Sequence, residues 1–424
     1  MFDIRERSFI HKISLFKTII LGIGSTIGAG IFLLLSPGVN IAGPGIILAF
    51  IFNAVIALII AGNYAEGASF TPVDGGGFSF VEKAFGKKAL FLGWMVWLGN
   101  ASYATMTSVG IGMYLSAIIP INEVVISVAV LFLFTFLNSV GSKRVASFQI
   151  PLTIILILVL AITAGYLFMN PIDGGFTPFL PNGVVSLLPA TSLLFVCFTG
   201  FEAITTISAE VKKPQKNIPK ALFYTVGIVS VSYILVVLAT LYSTSIDRLG
   251  SSDIALMEAV KFSPVMQGII VLGAVLAMLS SLNVALMAGA RNIYGLSRDG
   301  FLPKKWSVIN ERFETPLRAV LLTSMLAFIL LLTNQLELIA SVSNISYMLV
   351  VSGVGLAVLK SRQFEDKTVF KIPFYPYSCY LCIALPLILI PFLDPYSIII
   401  GFSWFTFGVL IHLFRSKRRK RIKA

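Results

Sequence analysis

Long apolar runs separated by short polar breaks organise this chain from end to end. They lie near 13–35, 43–66, 89–119, 122–141, 145–169, 184–210, 219–243, 264–296, 317–334, 337–359, 374–393 and 396–414. Each is long enough, as a helix, to cross about 30 Å of hydrocarbon. Backbone amides and carbonyls inside a bilayer must find partners within their own segment, so the pattern predicts an all-α membrane protein of twelve spans. The third and eighth runs are longer than a perpendicular crossing needs and are expected to tilt.

Two of the runs are interrupted. The first contains Ile20-Leu21-Gly22-Ile23-Gly24-Ser25-Thr26-Ile27-Gly28-Ala29-Gly30-Ile31-Phe32. Glycine costs a helix interior about 1 kcal/mol per residue. The stretch therefore reads as a helix that breaks at mid-membrane and exposes backbone groups to a ligand, as in secondary transporters. The plainer alternative is a packing face, with Gly24 and Gly28 forming a GxxxG pair. The sixth run carries Phe198-Thr199-Gly200-Phe201-Glu202 at a similar depth. Two interrupted runs, five spans apart and of opposite orientation, are the mark of a five-plus-five inverted repeat with helices 1 and 6 broken. On that reading 13–169 forms the first repeat and 184–359 the second. Two extra helices (374–414) follow, with a cytoplasmic N-terminus (1–12) and a basic cytoplasmic tail (415–424) at the ends.

Composition agrees. The 424 residues are 57% hydrophobic and 12% charged, more apolar surface than a soluble domain can hide. With the N-terminus inside, all of the 32 lysines and arginines except Arg248 and Lys261 fall on the cytoplasmic side. The net charge of +13 then faces the anionic inner leaflet rather than a nucleic acid. The 415–421 cluster is accordingly a topology anchor. Arg5, Arg7 and Lys12 ahead of an apolar run imitate a signal peptide. Cleavage there would leave an odd number of spans and put the basic tail outside. The expectation is a multi-pass cell-membrane protein with both termini cytoplasmic.

Candidate chemistry is sparse. Cys197, Cys379 and Cys382 sit in apolar segments, and the Cys379–Cys382 CxxC lacks a second pair or a nearby His. His11 and His412 lie near opposite ends of the chain, which excludes an HExxH site, and no GxxxxGK[ST] motif is present. No cofactor is expected. Glu202 is the acid placed near mid-bilayer, where a carboxylate is expensive. It is either a functional, proton-exchanging group or a structural acid bonded to freed amides of the broken helix. Ser280 and Ser281 place hydroxyls within the eighth run, as hard ligands for a small cation or as ordinary interhelical bonds.

Four blocks taken together resemble the amino acid–polyamine–organocation transporter superfamily, which has the LeuT-like fold. They are Gly22 to Phe32; Tyr64-Ala65-Glu66 with Pro72 and Gly75-Gly76; Phe198 to Glu202 with Glu210 to Lys220; and Ser297 to Pro303 with Asn310 and Thr315-Pro316. The first block and Thr71-Pro72-Val73 lean toward the cationic and the bacterial or archaeal amino acid branch. The resemblance implies an amino acid permease working by alternating access. A polyamine carrier is the alternative within transport, and a non-transporting amino acid sensor the alternative outside it. A sensor would be expected to carry a long soluble extension.

By the same resemblance the substrate carboxylate would rest on the amides of Gly28, Ala29 and Gly30. Its ammonium would meet carbonyls near Ile23, Ile27, Phe198 and Thr199, Gly200 would also belong to the binding site, and Phe201 would close over the substrate. Some prokaryotic relatives place a lysine ammonium on the fifth helix at the sodium position. The matching stretch here, Phe148 to Ile154, has none. That leaves Na⁺ at Gly24, Ser280, Ser281 and Thr153, proton exchange at Glu202, or no coupling at all. The expected partners are the amino acid, H⁺ or Na⁺, and membrane lipid.

Overall fold

The computed structural model describes residues 13–70, 76–140, 149–362 and 370–423. The first apolar run is divided into α1 (Leu15–Thr26), α2 (Ala29–Leu33) and α3 (Leu35–Ala42), leading into α4 (Ile46–Phe70). After α5 (Gly76–Phe85) come α6 (Leu90–Ser116), α7 (Glu123–Val140) and α8 (Gln149–Met169). The sixth run is divided again: α9 (Leu187–Leu194) tightens into 3₁₀ turns over Phe195–Phe198, and a second 3₁₀ stretch runs over Phe201–Glu210. Then follow α10 (Pro214–Ser243), the short α11 (Ile246–Ser251) and α12 (Ala255–Ala259), and α13 (Pro264–Arg298). The chain finishes with α14 (Leu317–Leu331), α15 (Leu336–Ser361), α16 (Tyr377–Leu389) and α17 (Pro395–Lys423). Among the described residues the sole extended pairings are isolated bridges at Ile13–Val211 and Asn310–Thr315.

Nine of the described helical stretches are long and apolar enough to cross a membrane. The chain is a multi-pass membrane protein. α14 and Tyr377–Phe392 are shorter apolar helices. α6 has the length but is richer in Gly, Ser, Thr and Asn, and its position explains why: it is buried along most of its faces, packed by α13, α15, α7 and α14. Helices at the rim invert the usual pattern. On α7 the inward positions include Ser127, Thr135 and Asn138, while Phe132, Leu133 and Phe136 point outward. Lipid tails are as apolar as leucine, so apolar side chains gain nothing by turning inward, whereas polar ones find partners there. Thr135 donates to Ser324 on α14 at 2.8 Å, and Asn138 to Asn283 on α13 at 3.0 Å.

The last helix is fastened to the bundle by a tryptophan pair. Trp94 of α6 and Trp404 of α17 stack at 4.5 Å, and each indole donates to the other's backbone carbonyl. Gly408 lies against Trp94, where a Cβ would press within 2.5 Å of the ring. Aromatic pairs of this kind add about 0.5–1.5 kcal/mol beyond area burial.

Candidate functional site

The two interruptions meet. α1 ends at Thr26; Ile27 is extended, and Gly28 (φ −125°, ψ −144°) turns the chain into α2. In the sixth run Thr199 is extended, and Gly200 takes φ +110°, a conformation that glycine reaches without steric cost. A Cβ at Gly200 would collide with the carbonyl of Ser25, so the breaks are in direct contact. Ser25 Oγ donates to the Gly200 carbonyl at 2.9 Å. Gly30 lies against Cys197, with room for no side chain: a Cβ there would stand 2.9 Å from the Cys197 Cα.

The four glycines of the first run face four different neighbours. Gly22 packs on Ile204 and Thr225, Gly24 on Thr153 and Gln149, Gly28 on Tyr103 and Ser281, and Gly30 on Cys197. Gly24 and Gly28 thus face α8 and α6 respectively, rather than one partner as a shared GxxxG face would. Ile23, Ile27 and Ala29 are buried beside them, as are Phe198, Thr199 and Phe201 across the contact. Phe198 packs edge-on against Tyr233, while Phe201 turns to Tyr64.

Glu202 is drawn into the break of its own segment. One carboxylate oxygen accepts from the Gly200 amide at 2.8 Å, and the other accepts from the Tyr347 hydroxyl of α15. Beside it is a small cavity lined by Asn53, Phe198, Thr199, Phe201 and Tyr347. Among the described residues the buried Asn53 Oδ1 on its wall has no hydrogen-bond partner. The hydroxyls of Thr205, Thr206 and Ser208 each return to the carbonyl three residues earlier, consistent with the 3₁₀ winding. Asn53 and Asn344 amides take the carbonyls of Thr191, Ser192 and Leu193 at 2.8–3.0 Å, at the end of α9 where the tightening begins.

The four residues offered as cation ligands divide into two groups. Gly24, Thr153 and Ser280 gather around the Gln149 side chain, whose Oε1 accepts from Ser280 at 2.8 Å and whose Nε2 lies over Gly24. Ser281, one position on and about 100° around the helix, turns instead to Tyr103 and Gly28. Tyr103 reaches the α1–α2 break, its hydroxyl set against the Ser281 hydroxyl and the Ala29 amide. Sequence reasoning did not single out Tyr103, Gln149, Tyr347, Asn53 or Asn344. The spacing of Asn100, Tyr103 and Thr107 on one face of α6 was the available signal for the first of these.

Interrupted, contacting helices inside an apolar bundle are the construction on which membrane transporters build their binding sites. The particular family follows from comparison of sequences: the sequence model of the amino acid permease family matches residues 13–414, and the chain belongs to that family. It is 27% identical to the branched-chain amino acid permease BcaP of Bacillus subtilis, over 98% of this chain and 95% of that one. It is equally similar, 27% over the same shares, to the methylthioribose transporter of the same organism. The vacuolar cationic amino acid transporter 8 of Arabidopsis thaliana is 24% identical over 81% of this chain and 62% of its own length.

Proposed function

We propose that this chain is a secondary transporter of amino acids across the cell membrane, working by alternating access on a twelve-span LeuT-like frame. In this reading 13–169 and 184–359 are the two inverted repeats, 374–414 supplies the last two spans, and both termini face the cytoplasm. The substrate carboxylate binds the amides of Gly28, Ala29 and Gly30, where backbone donors are freed and no Cβ intervenes. Its ammonium meets carbonyls of Ile23, Ile27, Phe198, Thr199 and Gly200, and Phe201 closes the site. Tyr103 and Ser281 are the side chains that stand at the carboxylate end and must yield or bond to it.

One observation carries this reading: the contact of the two breaks at Ser25 and Gly200, which brings the amide end of the first break beside the carbonyls of the sixth run inside the bundle. A zwitterion needs both. The membership in the amino acid permease family supports the same substrate class.

Thermal-shift measurements on the purified protein against a panel of amino acids and polyamines test it. A ligand present at about 100 times its dissociation constant should stabilise the folded state by about 2.7 kcal/mol. Stabilisation by polyamines but by no amino acid would overturn the substrate class.

A further inference from the structure

We infer that the small cavity beside the sixth break is the site of a single structural water, which donates one hydrogen to Asn53 Oδ1 and the other to the Glu202 carboxylate and so ties α4 to that break. The inference stands whether or not the chain transports an amino acid.

The orientation of the Asn53 amide is fixed by its own bonds. Its Nδ2 donates to the carbonyl of Ala49 at 3.1 Å and to that of Thr191 at 3.0 Å. Both amide hydrogens are used, and a flipped amide would set its oxygen against two carbonyls. Oδ1 is therefore the atom left for the cavity. Asn53 is 1% exposed, so bulk water does not serve it, and a buried acceptor without a donor bears its full desolvation cost.

The hydroxyls on the cavity wall do not supply that donor. Thr199 spends its one hydroxyl hydrogen on the Val196 carbonyl at 2.8 Å, and Tyr347 spends its own on Glu202. Ala57, Ile60, Phe195 and Val351 bring apolar side chains to the same wall. The donor is then a molecule that fits the space. About 10 Å³ of the cavity is open to the centre of a water molecule, about the size at which a cavity holds one water. A second acceptor stands ready on the wall. The Glu202 oxygens accept one bond each, from the Gly200 amide and from Tyr347, and each keeps a further lone pair. One water has the two hydrogens that Asn53 Oδ1 and Glu202 call for. With so many apolar side chains around it, the cavity is poorer in oxygen than the shell of about six that a hard cation takes.

The water would let Asn53 hold the sixth run on both sides of its break. Thr191 lies before Thr199-Gly200 and is bonded directly; Glu202 lies after them and is reached through the water. Bonds on either side fix the angle between the two halves.

A structure of the full chain, by crystallography or electron cryomicroscopy at a resolution that shows ordered waters, tests this. One peak is expected about 2.7–3.2 Å from Asn53 Oδ1 and about 2.5–3.0 Å from a Glu202 oxygen. No peak there, in a map with ordered waters elsewhere in the bundle, would overturn the inference. So would a peak ringed by about six oxygens at about 2.3–2.6 Å, which is a cation. Val351→Ile adds one methylene to the wall. It is expected to remove the peak and to lower the unfolding midpoint, because both acceptors lose their donor. A raised midpoint would mean that the methylene had filled a dry apolar void, and would overturn the inference as well. If that variant does not fold, the wild-type map decides alone.

Discussion

The two breaks are built from opposite solutions to the same problem. A helix interrupted inside a membrane must dispose of unpaired amides and carbonyls. The sixth run does so with its own side chains and its neighbours' amides. Glu202 takes the Gly200 amide, three hydroxyls return to nearby carbonyls, and Asn53 and Asn344 collect those of Thr191 to Leu193. In the first run Ser25 and Thr26 both return to the Gly22 carbonyl, before the break. Beyond it, Gly28, Ala29 and Gly30 carry no polar side chain of their own, and what lies against the Ala29 amide is the hydroxyl of Tyr103, a side chain from another helix. A break satisfied from within is a fixed bend. A break satisfied by a displaceable hydroxyl is a place where a ligand can compete. In the proposed reading the carboxylate end of the site belongs to the first break and the rigid shape of the pocket to the sixth.

Substitution at the first break should have the largest effect. Gly30→Val would drive a branched side chain into the backbone of Cys197, and Gly28→Val into Tyr103 and Ser281. Each is expected to weaken amino acid binding by about tenfold or more, about 1.4 kcal/mol, while the purified protein stays monodisperse. Equal binding by both variants would make the first break a packing device and erase the contrast. At the sixth break the expected cost falls on stability instead. Glu202→Ala strands the Gly200 amide and the Tyr347 hydroxyl, for about 1.5–3 kcal/mol. Asn344→Ala gives up two bonds to freed carbonyls, for about 1 kcal/mol each. Thermal unfolding in detergent should register both losses. If Asn344→Ala left the unfolding midpoint unchanged but abolished binding, the sixth break would be a ligand site too.

Much of this was legible in the order of residues because it is local. The apolar runs set the helices, and the glycines of the first run with Thr199-Gly200 set the places where helices stop. What could not be read is which groups meet across the bundle. Gln149 is 131 positions from the serine it holds, and Tyr347 is 145 from Glu202. Ser280 and Ser281 looked interchangeable as ligands, yet helical geometry sends them to different neighbours, a distinction that depends on the rotation of α13 and not on its composition. Glu202 was open between a functional and a structural role, and its bond to the Gly200 amide is the contact that the structural role calls for.

The smallest effect is expected at the outer end of the first break, and it carries a pH dependence. α3 continues the broken helix outward and is held by α11 and the residue after it: Ser36 donates to the carbonyls of Leu249 and Ser252, and Asn40 to that of Gly250. That loop is stapled by Arg248, which reaches Glu258 at 2.9 Å and Asp173 at 3.3 Å, while Lys261 also pairs with Glu258 at 2.7 Å. The Ser245 amide, with its hydroxyl and Arg248, outweighs burial and holds the Asp173 carboxyl below its ordinary range. Burial raises the Glu258 carboxyl, but bonds and charge from Lys261 and Arg248 prevail and lower it. Both folded-state values are depressed, so the staple's contribution is full above the unfolded values near 4 and is lost as pH falls through the folded ones. Exposed pairs of this kind contribute about 0.2–1 kcal/mol. Arg248→Ala should lower the unfolding midpoint slightly at neutral pH and flatten its decline between about pH 5 and about pH 3. Superimposable acid profiles for variant and wild type would mean that Ser36 and Asn40 hold the outer half of the broken helix without the staple.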